Sequence, residues 1–141
     1  MIIYKNSAAT ASILIIRGGR VLLARRAFEP YKGEYDAVGG FLRYGEDPIA
    51  GVLRETAEET GLRAEILGFL GVYMDRYGRA GKRTLNFYYV GSIAGGRMRA
   101  KDDVSELKWF PIEQPPRLAF KSQMKVLVDL RRWYKNRTAE I

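Results

Sequence analysis

Gly40–Leu62 reads GFLRYGEDPIAGVLRETAEETGL, a glycine-rich turn that runs into one helix carrying Glu55, Glu58 and Glu59. Asp47 before Pro48 has the form of an N-cap followed by proline at the first helical position. Gly61 has the form of the residue just past a C-terminus, so the spacing predicts a helix over Pro48–Thr60. At about 100° per residue, Ile49, Val52, Leu53, Thr56 and Thr60 share one arc for packing, and the three glutamates fall on another roughly a third of a turn away. Like charges at i,i+3 and i,i+4 repel by a few tenths of a kcal/mol per pair, and near a helix C-terminus they also oppose the dipole. A solvated face tolerates such a cluster; a divalent cation reverses its sign.

The residues Gly40, Glu46, Arg54, Glu55, Glu58, Glu59, Gly61 and the aliphatic Leu62 fit the spacing of the Nudix box. At background frequencies of about 6% per residue type, seven fixed residues at fixed spacing arise by chance only a few times in a billion windows. The chain therefore resembles a Nudix hydrolase, loosely over nearly all of its 141 residues. Two positions depart from the family pattern: Thr56 stands where an aliphatic residue is usual, and Val38 precedes Gly39 where proline is frequent. Thr56 still offers a methyl to the packed face, and Val38 removes only a turn constraint.

With 47% hydrophobic and 28% charged residues, a chain of this length is expected to be a single domain, 1–141, with a substantial core. It contains neither cysteine nor histidine. That excludes disulfides, thiolate or imidazole zinc sites, cysteine nucleophiles and histidine-based triads, and leaves any metal to oxygen ligands, which favours Mg²⁺ or Mn²⁺. The first residues, MIIYKNSAATASILII, match neither a signal peptide nor a membrane span, so the expected location is cytoplasmic with no membrane partner. A net charge of +8 favours anionic partners, but the cations are scattered, which points to a phosphorylated small molecule and argues against nucleic acid.

Along the chain, Ala8–Ile16 and Val21–Ala24 read as strands joined by a Gly18-Gly19 hairpin, closed by Arg25 and Arg26. A loop over 28–33 leads to a short extended piece, Glu34–Val38. After the helix, Ala64–Met74 reads as one or two bent strands, and Asp75–Arg83 as a loop carrying Arg76, Tyr77, Arg79, Lys82 and Arg83. Thr84–Ala94 is a long strand whose consecutive aromatics Phe87, Tyr88 and Tyr89 must face both sides, mostly for packing. Another extended piece lies near Arg97–Ala100; Asp102–Phe110 gives an acidic loop and a last strand, and Ser122–Tyr134 a helix that packs through Met124, Leu127, Val128 and Leu130. Together these predict an α+β fold with a mixed curved sheet between helices, and the resemblance implies the Nudix α/β/α sandwich.

The resemblance also implies roles. Glu55, Glu58 and Glu59, with the Gly40 carbonyl, would bind one to three Mg²⁺ ions. Arg54 would orient a neighbouring glutamate, and Glu46 would be a supporting carboxylate. The general base is Glu55, or lies outside the box at Asp102, Asp103 or Glu106, the other carboxylate cluster. Arg25 and Arg26 are either a solvated strand end or a phosphate clamp, and Tyr77 with Arg83 either a basic loop or a base-stacking platform. There is no four-cysteine module and no proline between Pro48 and Pro111, and Tyr77 occupies a region where some dinucleoside polyphosphate hydrolases have tyrosine. GEYDAVGG and DRYGRAGKRTLNFYYVG are most similar to pyrophosphatases of ADP-ribose and other nucleoside diphosphate derivatives. The implied reaction is Mg²⁺-dependent hydrolysis to a nucleoside monophosphate and a phosphorylated product. The alternatives are hydrolysis of nucleoside triphosphates or dinucleoside polyphosphates, and a non-catalytic nucleotide-sensing or RNA-binding module. Homodimers are common in the family it resembles.

Overall fold

A computed structural model describes residue 2, residues 4–78 and residues 81–139. The strands are β1 (Ala8–Arg17), β2 (Arg20–Arg26), β3 (Tyr35–Asp36), β4 (Val38–Phe41), β5 (Leu62–Tyr77), β6 (Lys82–Gly96) and β7 (Val104–Pro111); the helices are α1 (Pro48–Thr60) and α2 (Gln123–Ala139). The sheet is mixed: β1 pairs in parallel with β6, and the other ladders are antiparallel. Buried residues form one cluster of Val52, Ile13, Ile15 and Leu22 under α1, and another of Leu14, Val90, Val126 and Leu130 under α2. The sheet is therefore covered by one helix on each face, the expected α/β/α sandwich.

β1 organises the sheet. Along one edge it pairs with β6 from Ala8 to Ile15, and along the other it is shared, with β4 opposite Thr10–Ile13 and β2 opposite Ile15–Arg17. Two strands cannot occupy the same edge without diverging beyond it, so the sheet forks between the end of β2 and the start of β4. The Gly18-Gly19 hairpin, both residues at positive φ, fixes the β1–β2 register at Arg17 opposite Arg20.

Several sequence expectations are corrected. β5 is one strand that starts at Leu62 and continues through Tyr77, with register shifts around Gly68 and Gly71 that absorb its bends. The expected Asp75–Arg83 loop shortens accordingly, because Asp75, Arg76 and Tyr77 pair with Thr84, Arg83 and Lys82. Arg79 lies outside the described residues. Residues 97–100 form no strand; they cross the end of α1, where the Arg99 and Lys101 N–H groups donate to the Thr60 and Glu59 carbonyls at 2.8 and 2.9 Å. On α1, Ile49 is 42% exposed, and Gly51 takes the packed place in the first turn against Leu42 and Glu46. On α2, Met124 and Val128 are exposed, while Gln123, Val126, Leu127 and Leu130 pack. Their i, i+3, i+4, i+7 spacing defines a stripe that keeps the expected Leu127 and Leu130 and has Gln123 and Val126 in place of Met124 and Val128.

Candidate active site

The helix that carries the glutamates is anchored at both ends. The Asp47 carboxylate accepts from the Ile49 and Ala50 N–H groups at 2.9 and 3.3 Å, and Gly61, in the left-handed region, donates its N–H to the Ala57 carbonyl at 3.0 Å. Thr56 and Thr60 are fully buried and return their hydroxyls to the carbonyls of Val52 and Thr56, so the polar variant of the box packs without an unpaired group.

The three glutamates do not share one environment. On a helix Glu55 and Glu59 are about 40° apart, while Glu58 is about 100° from Glu59. Glu59 accordingly turns inward and is 8% exposed, Glu55 lies beside it, and the Glu58 side chain is 41% exposed. Arg54 spans the outer side. It holds Glu46 through two bonds of 2.8 and 2.9 Å, Glu55 at 3.0 Å and Glu58 at 3.2 Å. The hydrogen bonds from Arg54, supported by the Arg43 N–H, hold the Glu46 carboxyl down at about 2. Glu46 is thus the support for Arg54, and Arg54 the spacer among three carboxylates that would otherwise repel.

On the inner side, the Gly39 N–H donates to Glu59 Oε1 at 3.0 Å. A Cβ on Gly40 would lie 2.7–2.9 Å from the Glu55 carboxyl atoms, and one on Gly39 would collide with the Ala11 carbonyl and the Ser12 backbone. The two glycines therefore let β4 lie flat against β1 on one side and against a carboxylate on the other. Glu55 and Glu59 open into a cavity of about 490 Å³ at the fork of the sheet, whose wall also includes Gly40, Arg26, Tyr77 and Asp103.

Residues 6–130 match the NUDIX domain family. The chain is 33% identical over 133 residues to an ADP-ribose pyrophosphatase of Methanocaldococcus jannaschii, covering 93% of this chain and 77% of that protein. The chain belongs to the Nudix family. It is a hydrolase of phosphoanhydride bonds by that membership. It is also 29% identical over 129 residues to an NAD-capped RNA hydrolase of Pseudomonas aeruginosa, covering 90% of this chain but only 45% of that longer protein. A MutT Nudix hydrolase from Burkholderia pseudomallei superposes with a TM-score of 0.79 at 23% identity, covering 89% of this chain and 98% of the other, and shows the same fold.

Within the Nudix site the candidates separate by position. Of the three bases outside the helix, only Asp103 lines the cavity. Asp102 sits at a positive-φ turn beside it, and Glu106 accepts from the Tyr35 hydroxyl at 2.7 Å. Arg25 lines the rim and donates to the Gly33 carbonyl at 3.0 Å. Arg26 lies deeper, spent on the Pro30 carbonyl, Asp36 and the Tyr77 hydroxyl at 2.7, 3.0 and 3.0 Å. Tyr77 does reach the cavity, with its ring stacked on Phe120 at 5.7 Å and edge-on to Phe41 at 5.2 Å. Arg83 does not: strand alternation puts it on the face opposite Thr84, exposed and across from Arg76.

The donor chemistry suits a divalent cation. The Glu59 carboxyl is pushed up to about 8, chiefly by burial and further by Glu55, Asp36 and Asp103, against the Gly39 N–H that favours its charged form. Burial likewise raises Glu55, although Arg54 opposes it. Carboxyl oxygens held in a crowded, partly dehydrated pocket with a glycine backbone alongside fit a hard cation, which would displace the proton. Among the described residues no three acidic side chains already converge as a metal cage.

The Glu59 shift predicts a pH dependence for the metal-free protein. Its folded pKa lies above the unfolded value, so the fold holds this proton more tightly, and stability falls as pH rises from about 4.3 towards 8 and levels above that. The loss should reach a few kcal/mol, at about 1.4 kcal/mol per pKa unit. Thermal melts in chelator should show a declining Tm between pH 5 and 8 that Glu59→Gln flattens; a wild-type Tm that stays level overturns the assignment. Gly40→Ala tests the close approach to Glu55. It is expected to lower kcat about tenfold or more with the fold retained, since the end of a flexible side chain can move aside. Gly39→Ala meets backbone and should cost about 3 kcal/mol in denaturant unfolding.

Sequence reasoning missed much of the cavity wall: Thr10, Ser12, Asp36, Asn86, Tyr88 and Gln123. The signal was present in β1, where Thr10 and Ser12 precede Leu14 and Ile16 on the same face, a polar start to an otherwise apolar stripe.

Proposed function

We propose that residues 1–141 form one cytoplasmic hydrolase domain that cleaves the diphosphate of a nucleoside diphosphate linked to another group, with ADP-ribose-like compounds as the substrate class, in a Mg²⁺-dependent reaction. The observation that carries this reading is the placement of Glu55 and Glu59, across from Gly39 and Gly40, at the wall of a cavity large enough for a nucleotide derivative. The ADP-ribose pyrophosphatase of M. jannaschii supports the substrate class.

Glu55 and Glu59 with the Gly40 carbonyl would hold the ion, and Glu58, on the solvent side of Arg54, completes the proposed ligand set. When bound, Mg²⁺ neutralises diphosphate charge and activates a water for in-line attack. Arg54 keeps Glu55 and Glu58 oriented from behind while Glu46 fixes Arg54. Asp103 accepts the proton of the attacking water: it lines the cavity, its charge acts on Glu55 and Glu59, and it makes no ion pair among the described residues. Arg25, at the rim and half-committed to one carbonyl, is the guanidinium placed to meet a phosphate as the substrate enters. A panel of nucleotides with Mg²⁺, read by chromatography, tests the reading: ADP-ribose should give AMP and ribose 5-phosphate, and release of pyrophosphate from nucleoside triphosphates as the fastest reaction would replace it.

A further inference from the structure

The catalytic end of the cavity leaves its inner end unassigned. On the α2 face, three neighbouring strands change from apolar to polar at the same level. β1 supplies Thr10 and Ser12 ahead of Leu14, β6 supplies Thr84 and Asn86 ahead of Val90, and β5 supplies Asp75 beyond Tyr73. The ladders bring these together, with Thr10 opposite Asn86 and Asp75 opposite Thr84. The N-terminus of α2 closes the recess with Gln123, which donates to Asp36 and to the Tyr88 hydroxyl at 2.6 and 3.0 Å.

A core would place aliphatic side chains at this level, since each buried polar group left short of a partner costs about 1–3 kcal/mol. The network is instead largely satisfied and still borders open volume: Thr10 bonds Asn86, Asn86 bonds the Tyr73 carbonyl, and Asp75 accepts from the Ser122 N–H and hydroxyl. Such a wall recognises heteroatoms. Its charge is also defined. Asp36 is neutralised by Arg26 at 3.0 Å, whereas Asp75 has no ion pair among the described residues, so the recess carries a net negative charge.

We infer that this recess is the specificity site for the group linked to the nucleoside diphosphate, and that it takes an uncharged, hydrogen-bonding sugar and rejects a terminal phosphate. The inference rests on the chain acting as a pyrophosphohydrolase, with the diphosphate at Glu55 and Glu59. Sugar hydroxyls can exchange hydrogen bonds with Thr10, Asn86 and Asp75, whereas a phosphate would meet the like charge of the Asp75 carboxylate.

Titration calorimetry in Mg²⁺ with α,β-methylene ADP-ribose and α,β-methylene ATP tests this. The first should bind at least tenfold more tightly, and Asp75→Asn should shrink that ratio at least threefold by admitting the terminal phosphate. Should Asp75→Asn fail to fold, Thr10→Val gives a second reading, shrinking the ratio through weaker binding of the ADP-ribose analogue. Equal or tighter binding of the ATP analogue to wild type, or an unchanged ratio in the folded variants, overturns the inference. AMP and ribose 5-phosphate check the occupant: ribose 5-phosphate should lose affinity in Thr10→Val, and a drop for AMP alone, or for neither, also overturns the inference. These are binding measurements, so a protein that shows the preference yet hydrolyses neither parent nucleotide refutes the proposed function and leaves the recess assignment standing.

Discussion

Glu59→Gln is expected to lower kcat by about 10³-fold or more, the equivalent of ~4 kcal/mol of transition-state stabilisation. The substitution keeps the shape of the side chain and an oxygen for the Gly39 N–H, which donates to it at 3.0 Å, but removes the buried anion. For the same reason the metal-free variant should melt at or above the wild-type temperature at pH 9, where the wild-type carboxylate is mostly charged at a site that raises its pKa to about 8. Loss of turnover with gain of stability separates a functional carboxylate from a structural one. Turnover within tenfold of wild type at saturating Mg²⁺ would remove Glu59 from the chemistry.

Arg54→Lys should have the second largest effect, about a 10²-fold loss of kcat, although the charge is kept. The planar fork of Arg54 reaches Glu46, Glu55 and Glu58 at once, and an ammonium ion on a flexible stem cannot hold three carboxylates in fixed positions. The variant should also raise the Glu46 pKa from about 2 towards its ordinary value, because the Arg54 hydrogen bonds are the main cause of the depression. With a folded pKa below the unfolded one, the Glu46 interaction stabilises the wild type above pH ~4.3 and is lost as pH falls towards 2. The variant should therefore show a weaker dependence of stability on pH across that acid range. Carboxyl-carbon NMR follows Glu46 directly, and an unchanged titration in the variant would assign its low pKa to something other than Arg54.

The elements legible in the sequence are those whose ends are specified by adjacent residues. Asp47, Pro48 and Gly61 delimit α1 because caps are satisfied within one turn, and Gly18-Gly19 makes the hairpin because two residues at positive φ suffice. The Nudix spacing and the α+β class belong to the same kind of information. Errors arise where a local signal yields to pairing: Asp75 and Tyr77 look like loop but join β5 because β6 continues to Lys82 and pairs with them. On α2, Met124 and Val128 are as apolar as Val126 and Leu130, and only the position of the sheet decides which stripe is covered.

From sequence alone, then, three glutamates on a capped helix, an arginine beside them and two glycines before them mark the family, since their types and spacing are local properties of the chain. The tertiary structure decides where each one stands. Sheet contacts turn Glu59 inward and leave Glu58 at the solvent side, although both stand on the same turn. The fork at β1 creates the cavity and brings Asp103, but not Asp102 or Glu106, to its wall, and the recess joins Thr10 to Asn86 across 76 residues of chain and Asp36 to Gln123 across 87. Contacts at such separations are set by strand order and register, which no window of sequence contains, because they arise only when the whole sheet closes around β1.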